Sequence, residues 1–183
     1  MARLTASRLL PNGTLDKSNK PGVVIASSAL QAQISAEAPL AVQANDSYIV
    51  SAVTGSVDQD FDLHRFKLNN KADKSLKSVT IGFDGPKSTN LSQDYANVVQ
   101  PNGSIVVAGR FLAGGDESFG LARVLTNGKL DTGFGTNGVV TTAFPCTIAF
   151  ATALTVQSDG NIVASGDCGG FGGNLGVARY LGN

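Results

Sequence analysis

The sequence predicts an all-β protein, a propeller-like array of three four-stranded antiparallel blades. Three observations lead to this prediction: a repeating interval, a high glycine content, and short β-rich runs separated by turn sequences. The interval of 56 to 58 residues is marked by Arg8, Arg65, Arg123 and Arg179, and by Gln43, Gln100 and Gln157. A fixed interval of this size is typical of repeat architectures, and strand-rich repeats of this length favour a propeller.

The composition agrees with short strands and tight turns. Glycine makes up 22 of the 183 residues, and charged residues are only 15%, against about 25% in an average soluble domain. The net charge is zero, which argues against nucleic acid and anionic membrane surfaces as partners. The longest apolar runs fall short of the about 18 residues that a membrane-spanning helix requires, so membrane insertion is not expected.

Strands are predicted in order within each copy. In the third copy they are expected at 139–143, 151–157, 161–165 and 176–181, with a glycine-rich loop at 166–173. The second copy places them at 78–83, 95–100, 104–109 and 120–125, and the first at 22–27, 40–43, 48–53 and 61–67. The Ala- and Gln-rich segment 28–37 is expected to be a longer loop, with a helical turn as the alternative.

Each periodic glutamine is followed by a turn and then by an Ile-Val pair. The turn sequences Pro101-Asn-Gly-Ser104 and Ser158-Asp-Gly-Asn161 carry strong turn signals, because proline presets φ and glycine accepts positive φ. Two β-rich runs on either side of such a turn predict a hairpin. We therefore expect one repeat domain over 1–183, with repeats at 10–67, 68–125 and 126–183 and an extra N-terminal strand within 1–9.

The combined motifs resemble the bacterial delta-60 repeat family. The third copy carries the resemblance best, through Leu130-Asp131-Thr-Gly-Phe134-Gly135, Gly138-Val-Val140 and Val156-Gln157-Ser-Asp159-Gly160-Asn-Ile162-Val163. The second copy keeps Gln100-Pro-Asn-Gly-Ser-Ile-Val-Val-Ala-Gly109, and the resemblance covers nearly the whole chain. It implies a propeller-like protein, often secreted or attached to the cell surface, and it carries over no catalytic residues.

An arginine and an aspartate recur eight residues apart, as Arg8/Asp16, Arg65/Asp73 and Arg123/Asp131. A ring of charged binding sites is one interpretation. A two-residue turn at Asn127-Gly128 would instead place Arg123 and Asp131 on opposite faces of the hairpin. We then expect each to act locally, with the aspartate starting the next turn and the arginine tying one blade to the next.

No catalytic residues, metal site or cofactor are predicted. Asp58, Asp60 and Asp62 have the spacing that begins a calcium loop, but the glycine and bidentate glutamate of the full pattern do not follow. A solvated loop is therefore expected there. His64 is the single histidine of the sequence, so it has no second histidine with which to form a zinc site.

Two cysteines and three phenylalanines fall near the predicted ends of strands. Cys146 and Cys168 are candidates for a disulfide between loops at one edge of the third blade, with two free thiols as the alternative. Phe111, Phe144 and Phe171 lie near the glycine-rich connections, where a propeller would carry ligand contacts. Packing between blades is the preferred interpretation of these three rings.

Three blades are fewer than the four to eight of closed propellers. A homodimer that closes six blades around a two-fold axis is therefore expected. A fragment of a longer array and a compact three-blade toroid are the alternatives, and the segment 5–10 could complete a neighbouring blade as a latch.

The expected function is a non-enzymatic binding module for a surface glycan or a protein partner. A propeller-type lyase or hydrolase and a structural spacer are the alternatives.

Overall fold

The computed structural model describes residues 4–6, 9–17, 23–25, 39–54, 60–67, 71–73, 76, 79–81, 92–113, 116–170 and 172–182. Within these ranges all regular structure is β-strand. No helix in the described part of the chain is long and apolar enough to cross a membrane. The segment 28–37, expected to be a loop, lies outside the described residues.

The strands form four antiparallel sheets, all joined in sequence order. β1 (Leu4–Ala6) pairs with β2 (Val23–Ile25) as a two-stranded sheet. The first sheet contains β3 (Leu40–Val42), β4 (Tyr48–Thr54), β5 (Asp60–Phe66) and β6 (Val79–Ile81). The middle sheet contains β7 (Ser92–Val99), β8 (Ile105–Ala113), β9 (Asp116–Val124) and β10 (Val139–Thr142). The third sheet contains β11 (Ala149–Val156), β12 (Ile162–Cys168) and β13 (Asn174–Tyr180).

The prediction of three four-stranded blades is wrong in two respects. First, the third sheet has three strands and not four. Second, the first strand of each predicted copy belongs to the preceding sheet and not to the sheet of its own copy. β10 thus follows β9 at the outer edge of the middle sheet, and β6 follows β5 in the first sheet. The N-terminal strand β1 pairs with β2 among the described residues. Completion of a neighbouring blade by the segment 5–10 stays a prediction.

The middle sheet is packed between the other two large sheets, because its side chains alternate between two apolar faces. Ile105, Val107, Ala122 and Val124 pack against Ile49, Leu63 and Ile81 of the first sheet. Val106, Ala108, Phe119 and Leu121 pack on the opposite side, against Ala149, Ala151, Ile162 and Ala164 of the third sheet. Both faces of the middle sheet are therefore core.

Five hairpin turns share one geometry. Each has three residues, and the third lies in the left-handed region of φ: Gly13, Asp46, Gly103, Gly128 and Gly160, with φ between 61° and 84°. In the middle sheet, Gln100 N donates to the Ser104 carbonyl at 2.8 Å and Gly103 N donates to the Gln100 carbonyl at 2.8 Å. This is the three-residue loop that combines a type I turn with a bulge, and it sets the register of the strands on either side.

The predicted glycine-rich loop begins three residues later than expected, because Gly166, Asp167 and Cys168 belong to β12. Gly166 faces the bulge in β11, where an added Cβ would lie 2.8 Å from Ala151 Cα. The glycine is therefore explained by close packing of two backbones within a sheet. Cys168 forms a disulfide with Cys146, whose Cα lies 5.8 Å away.

Candidate functional site

The glutamine-bearing ends of the three large sheets converge on one pocket. β3, β7 and β11 end here, and each is followed by one of the equivalent turns. The pocket has a volume of about 530 Å³ and is lined by Val42, Gln43, Ala44, Asn45, Val99, Gln100, Pro101, Gly103, Val156, Gln157 and Ser158. This volume lies within the usual range of small-molecule sites.

The turns hold the pocket wall through their own hydrogen bonds. In each turn the central Asx side chain accepts a hydrogen bond from the backbone N–H two residues on. Asn45 accepts from Ser47 N at 3.0 Å, Asn102 from Ser104 N at 2.9 Å, and Asp159 from Asn161 N at 3.0 Å. Asn and Asp side chains favour this local hydrogen bond. These three side chains therefore hold the backbone of the turns that line the pocket.

The three glutamine side chains differ in their surroundings. Gln100 is buried, and its Nε2 donates to the Gly182 carbonyl at 3.0 Å, which ties the middle sheet to the end of the third sheet. The Oε1 atoms of Gln43 and Gln100 are buried without a hydrogen-bond partner among the described residues. Gln157 is exposed, and its Oε1 accepts from Arg179 Nε at 2.7 Å.

The lining combines amide side chains with a larger apolar surface and carries no charged side chain. Two acids directly follow lining residues along the chain: Asp46 follows Asn45 in the first turn, and Asp159 follows Ser158 in the third. The backbone N–H of Asn161 hydrogen-bonds the Asp159 carboxylate, and this bond, the Asn161 side-chain amide and Arg179 hold the pKa of Asp159 below its ordinary value. The pocket therefore offers amide donors and acceptors beside the apolar surfaces of valine and proline.

The predicted separation of Arg123 and Asp131 is wrong. Arg123 Nε donates to Asp131 Oδ2 at 2.7 Å, and Arg65 Nε donates to Asp73 Oδ2 at 3.0 Å. The turn at Asn127-Gly128 has three residues instead of two, as the Val124–Leu130 bridge shows. A register change of one residue moves a side chain to the other face, so the arginine and the aspartate lie on the same side.

The local roles expected of this pair are present. Asp131 Oδ1 accepts from Gly133 N at 3.1 Å, and Arg123 Nη1 donates to the Gly182 carbonyl at 3.1 Å. The guanidinium also lies over the Phe134 ring, 4.6 Å from its centroid. The buried side chain of Arg123 therefore connects the middle sheet to the loop that follows it and to the end of the third sheet. We interpret it as a structural residue.

The Asp58-Asp60-Asp62 cluster is only partly described. Asp60 and Asp62 lie in β5, contrary to the predicted solvated loop, and Asp58 lies outside the described residues. Asp62 Oδ2 lies 3.0 Å from His64 Nε2, and both side chains are largely buried. No group of three potential metal ligands occurs within the described ranges.

The described strand ends that precede the two glycine-rich connections, Ala113 of β8 and Cys168 of β12, lie at the ends of the sheets opposite the pocket. Gly114 and Gly115 lie outside the described residues. Phe144 packs on Phe119, with ring centroids 4.6 Å apart, and Phe111 packs against the first core cluster. Phe171 lies outside the described residues. The two described rings thus serve packing between sheets, as preferred from the sequence.

In the sequence the glutamines are landmarks of the repeat, and they are not predicted as pocket residues. The signal was their constant interval of 57 residues. In a curved array of repeats, equivalent residues of successive repeats come close together around one axis. A polar residue that recurs at the same strand end in every repeat is therefore a candidate for a binding site on that axis.

Comparisons with known proteins agree with the fold at the level of its class. Residues 100–134 match the family model described as "Domain of unknown function (DUF5122) beta-propeller". This segment contains β8, β9, the Arg123–Asp131 pair and Phe134. A search of curated proteins found no match. The match supports a β-propeller-like repeat.

A search of solved structures matches a mutant, Glu150Asp, of the apocarotenoid oxygenase of Synechocystis. The sequence identity is 11% and the TM-score is 0.47, over 90% of this chain and 35% of the oxygenase chain. The present chain thus spans about a third of the length of that enzyme.

Proposed function

We propose that the chain is a non-enzymatic binding module, and that its ligand site is the pocket formed by the glutamine turns. The observation that carries this proposal is the convergence of three equivalent turns on one concave surface, which carries amide groups beside apolar ones and no charged side chain. The resemblance to delta-60 repeats adds a secreted or cell-surface location to the proposal.

The chemistry of the lining favours an uncharged polar ligand, and we assign a surface glycan. Sugar hydroxyl groups can donate to amide oxygens and accept from amide N–H groups, and the side chains of Gln43, Gln157 and Asn45 carry both kinds of group. Val42 and Pro101 provide apolar surface for the C–H faces of a sugar ring. Phosphate-bearing ligands would require lysine or arginine, and neither residue lines the pocket.

A glycan array tests this proposal, with bound glycans then measured by calorimetry. Val42→Trp places a large side chain at the pocket, and Val42 is 62% exposed, so the fold should tolerate it. Leu9→Trp is the control, since Leu9 is similarly exposed at 61% and lies outside the lining. We expect at least tenfold weaker binding for Val42→Trp alone, which corresponds to about 1.4 kcal/mol.

The same experiment separates the alternatives. Equal glycan binding by the two variants would place the ligand elsewhere and contradict the proposed site. Binding to a peptide array in place of the glycan array would assign a protein partner. Absence of binding to both arrays would favour a structural spacer.

We also propose that the chain self-associates as a homodimer. Leu175, Val177 and Leu181 are 76%, 55% and 71% exposed, and exposed apolar patches are typical of association sites. Light scattering should give about twice 18.7 kDa. A mass of 18.7 kDa at micromolar concentration would contradict the dimer.

A further inference from the structure

We propose that Asn137 is a site of spontaneous modification, at which the side-chain amide of the native protein is converted to a carboxylate after attack by the backbone nitrogen of Gly138. The chain contains four Asn-Gly pairs, which begin at Asn12, Asn102, Asn127 and Asn137. An asparagine followed by glycine is open to this reaction, because glycine has no side chain to shield its nitrogen. The surroundings of Asn137 differ from those of the other three asparagines.

The reaction needs water and no other reagent. The Gly138 nitrogen bonds to Cγ of Asn137, the bond from Cγ to Nδ2 breaks, and ammonia leaves with the proton of the Gly138 N–H. Water then opens the five-membered imide ring. Opening at Cγ gives aspartate, and opening at the main-chain carbonyl gives isoaspartate, in which the main chain runs through the former side chain. Either product carries one new negative charge.

Asn137 and Gly138 form a two-residue turn, whereas the other three asparagines lie in three-residue turns. Both residues have positive φ, 53° for Asn137 and 94° for Gly138, and Thr136 pairs with Val139 on either side of them. Two-residue turns with two left-handed positions favour Asn-Gly. Asn137 is exposed, so water reaches its side-chain amide.

The hydrogen bonding of the side chain separates Asn137 from the other three asparagines. In their turns Oδ1 accepts a hydrogen bond from the backbone N–H two residues on, at 3.1 Å for Asn12, 2.9 Å for Asn102 and 2.9 Å for Asn127. The side chain of Asn137 has no hydrogen-bond partner within the described part of the chain. Its amide can therefore rotate to bring Cγ to the Gly138 nitrogen without the loss of a side-chain hydrogen bond.

The nitrogen of the glycine is held to the same degree in all four pairs. It donates to a backbone carbonyl at 2.8 Å in two of the turns and at 2.9 Å in the other two, Gly138 included. The attack breaks this bond at every site, and at the other three sites it also breaks the bond to Oδ1. One hydrogen bond of typical net strength corresponds to about a fivefold difference in rate.

Isoaspartate at position 137 would disturb the start of β10. The Gly138 carbonyl accepts from Arg123 N at 3.1 Å, and Val139 lies opposite Ala122 in the sheet. An added Cβ on Gly138 would overlap Leu130, so the backbone has little room to shift at this point. The longer main chain of isoaspartate should therefore weaken the pairing of β10 with β9.

Peptide mapping of the native protein after incubation at mildly alkaline pH tests the proposal. Trypsin places the four Asn-Gly pairs in four separate peptides, 9–17, 88–110, 124–129 and 130–179, so mass spectrometry measures each rate. We expect Asn137 to react about fivefold faster than each of the other three. In urea the four rates should be equal, because the local sequence is Asn-Gly at every site. Equal rates in the native protein, or a faster reaction at another pair, would overturn the proposal.

A pair of variants provides a second test. Asn137→Gly keeps a residue that accepts positive φ and removes the reactive amide, and Asn127→Gly is the matched control. On isoelectric focusing, Asn137→Gly should lose most of the acidic form that the native protein accumulates, and Asn127→Gly should retain it. An acidic form that persists unchanged in Asn137→Gly would assign the modification to another residue and overturn the proposal.

Hydrogen exchange tests the effect on β10. In the purified acidic form the Arg123 amide should exchange faster than in the unmodified protein, because its acceptor is the Gly138 carbonyl. An unchanged rate would contradict the weakened pairing.

Discussion

At the scale of single residues, the two described arginine–aspartate pairs, Arg65–Asp73 and Arg123–Asp131, stabilise the connections that follow their hairpins. Arg8 of the first pair lies outside the described residues. Arg123 is almost fully buried and contacts Asp131, the Phe134 ring and the Gly182 carbonyl. An arginine in such surroundings depends on its carboxylate partner, because an unpaired buried charge is costly. The repeated Arg-x7-Asp spacing is therefore a mark of architecture.

Asp131→Asn should lower the free energy of unfolding by about 3 kcal/mol, since it leaves the buried Arg123 without its counter-charge. Asp159→Asn is the matched control, because it removes the exposed partner of Arg179 and should change stability little. Urea unfolding of both variants measures the difference. Equal stability of Asp131→Asn and Asp159→Asn would show that the pair at Arg123 is unimportant.

Burial raises the pKa of the Tyr180 hydroxyl, and the hydrogen bond to Thr142 opposes this only in part. The unfolded chain ionises its tyrosines near pH 10, so above that pH the folded chain holds more protons than the unfolded chain. The free energy of unfolding should then fall as the pH rises beyond about 10. Burial acts on Tyr48 in the same direction.

Spectrophotometric titration of the tyrosines checks this expectation. Tyr180→Phe should remove one late-ionising hydroxyl from the titration and reduce the loss of stability at alkaline pH. Ionisation of all three tyrosines together near pH 10 would contradict the burial of Tyr180.

At the scale of elements, the three-residue turn explains both the success and the failure of the sequence analysis. The strands were predicted within a few residues, because Asn-Gly and Asp-Gly turns delimit them clearly. The register was mispredicted, because a two-residue and a three-residue loop share the same Asn-Gly signal. The third sheet's missing strand could not be anticipated, since pairing partners depend on tertiary packing and every copy has the same local pattern.

Asp46 occupies the left-handed position that glycine holds in the four other described turns of this type, with φ of 61°. Asp46→Gly should therefore stabilise the protein by about 0.5 kcal/mol, through relief of backbone strain. Gly160→Ala is the opposite change, at a position where an added Cβ meets no atom within 4 Å. It should destabilise by about 1 kcal/mol from the backbone alone.

Thermal unfolding of the two variants gives the comparison. A destabilising Asp46→Gly, or a neutral Gly160→Ala, would mean that the turn conformation is not what selects glycine at these positions.

At the scale of the whole molecule, the repeat interval predicted the all-β class and the curved arrangement of sheets, but it did not predict the pocket. Periodic residues such as Gln43 and Gln100 can serve structure or binding, and the sequence alone does not distinguish these roles. Gln100 lines the pocket and also donates to the Gly182 carbonyl, so its position alone does not separate the two roles. Only the packing of the first and third sheets against the middle sheet brings the three turns together.

The ends of the first, middle and third sheets meet around one pocket, and the proposed function depends on this arrangement. Cross-linking of the double variant Ala44→Cys/Ser158→Cys with a short bis-maleimide tests it, because both residues line the pocket. Ala44→Cys/Asp116→Cys is the control, since Asp116 lies at the far end of β8 and β9, about 30 Å along the strands. We predict an intramolecular cross-link in the first variant and none in the second. Failure of the Ala44–Ser158 pair to cross-link in the folded protein would contradict the shared pocket and the function assigned to it.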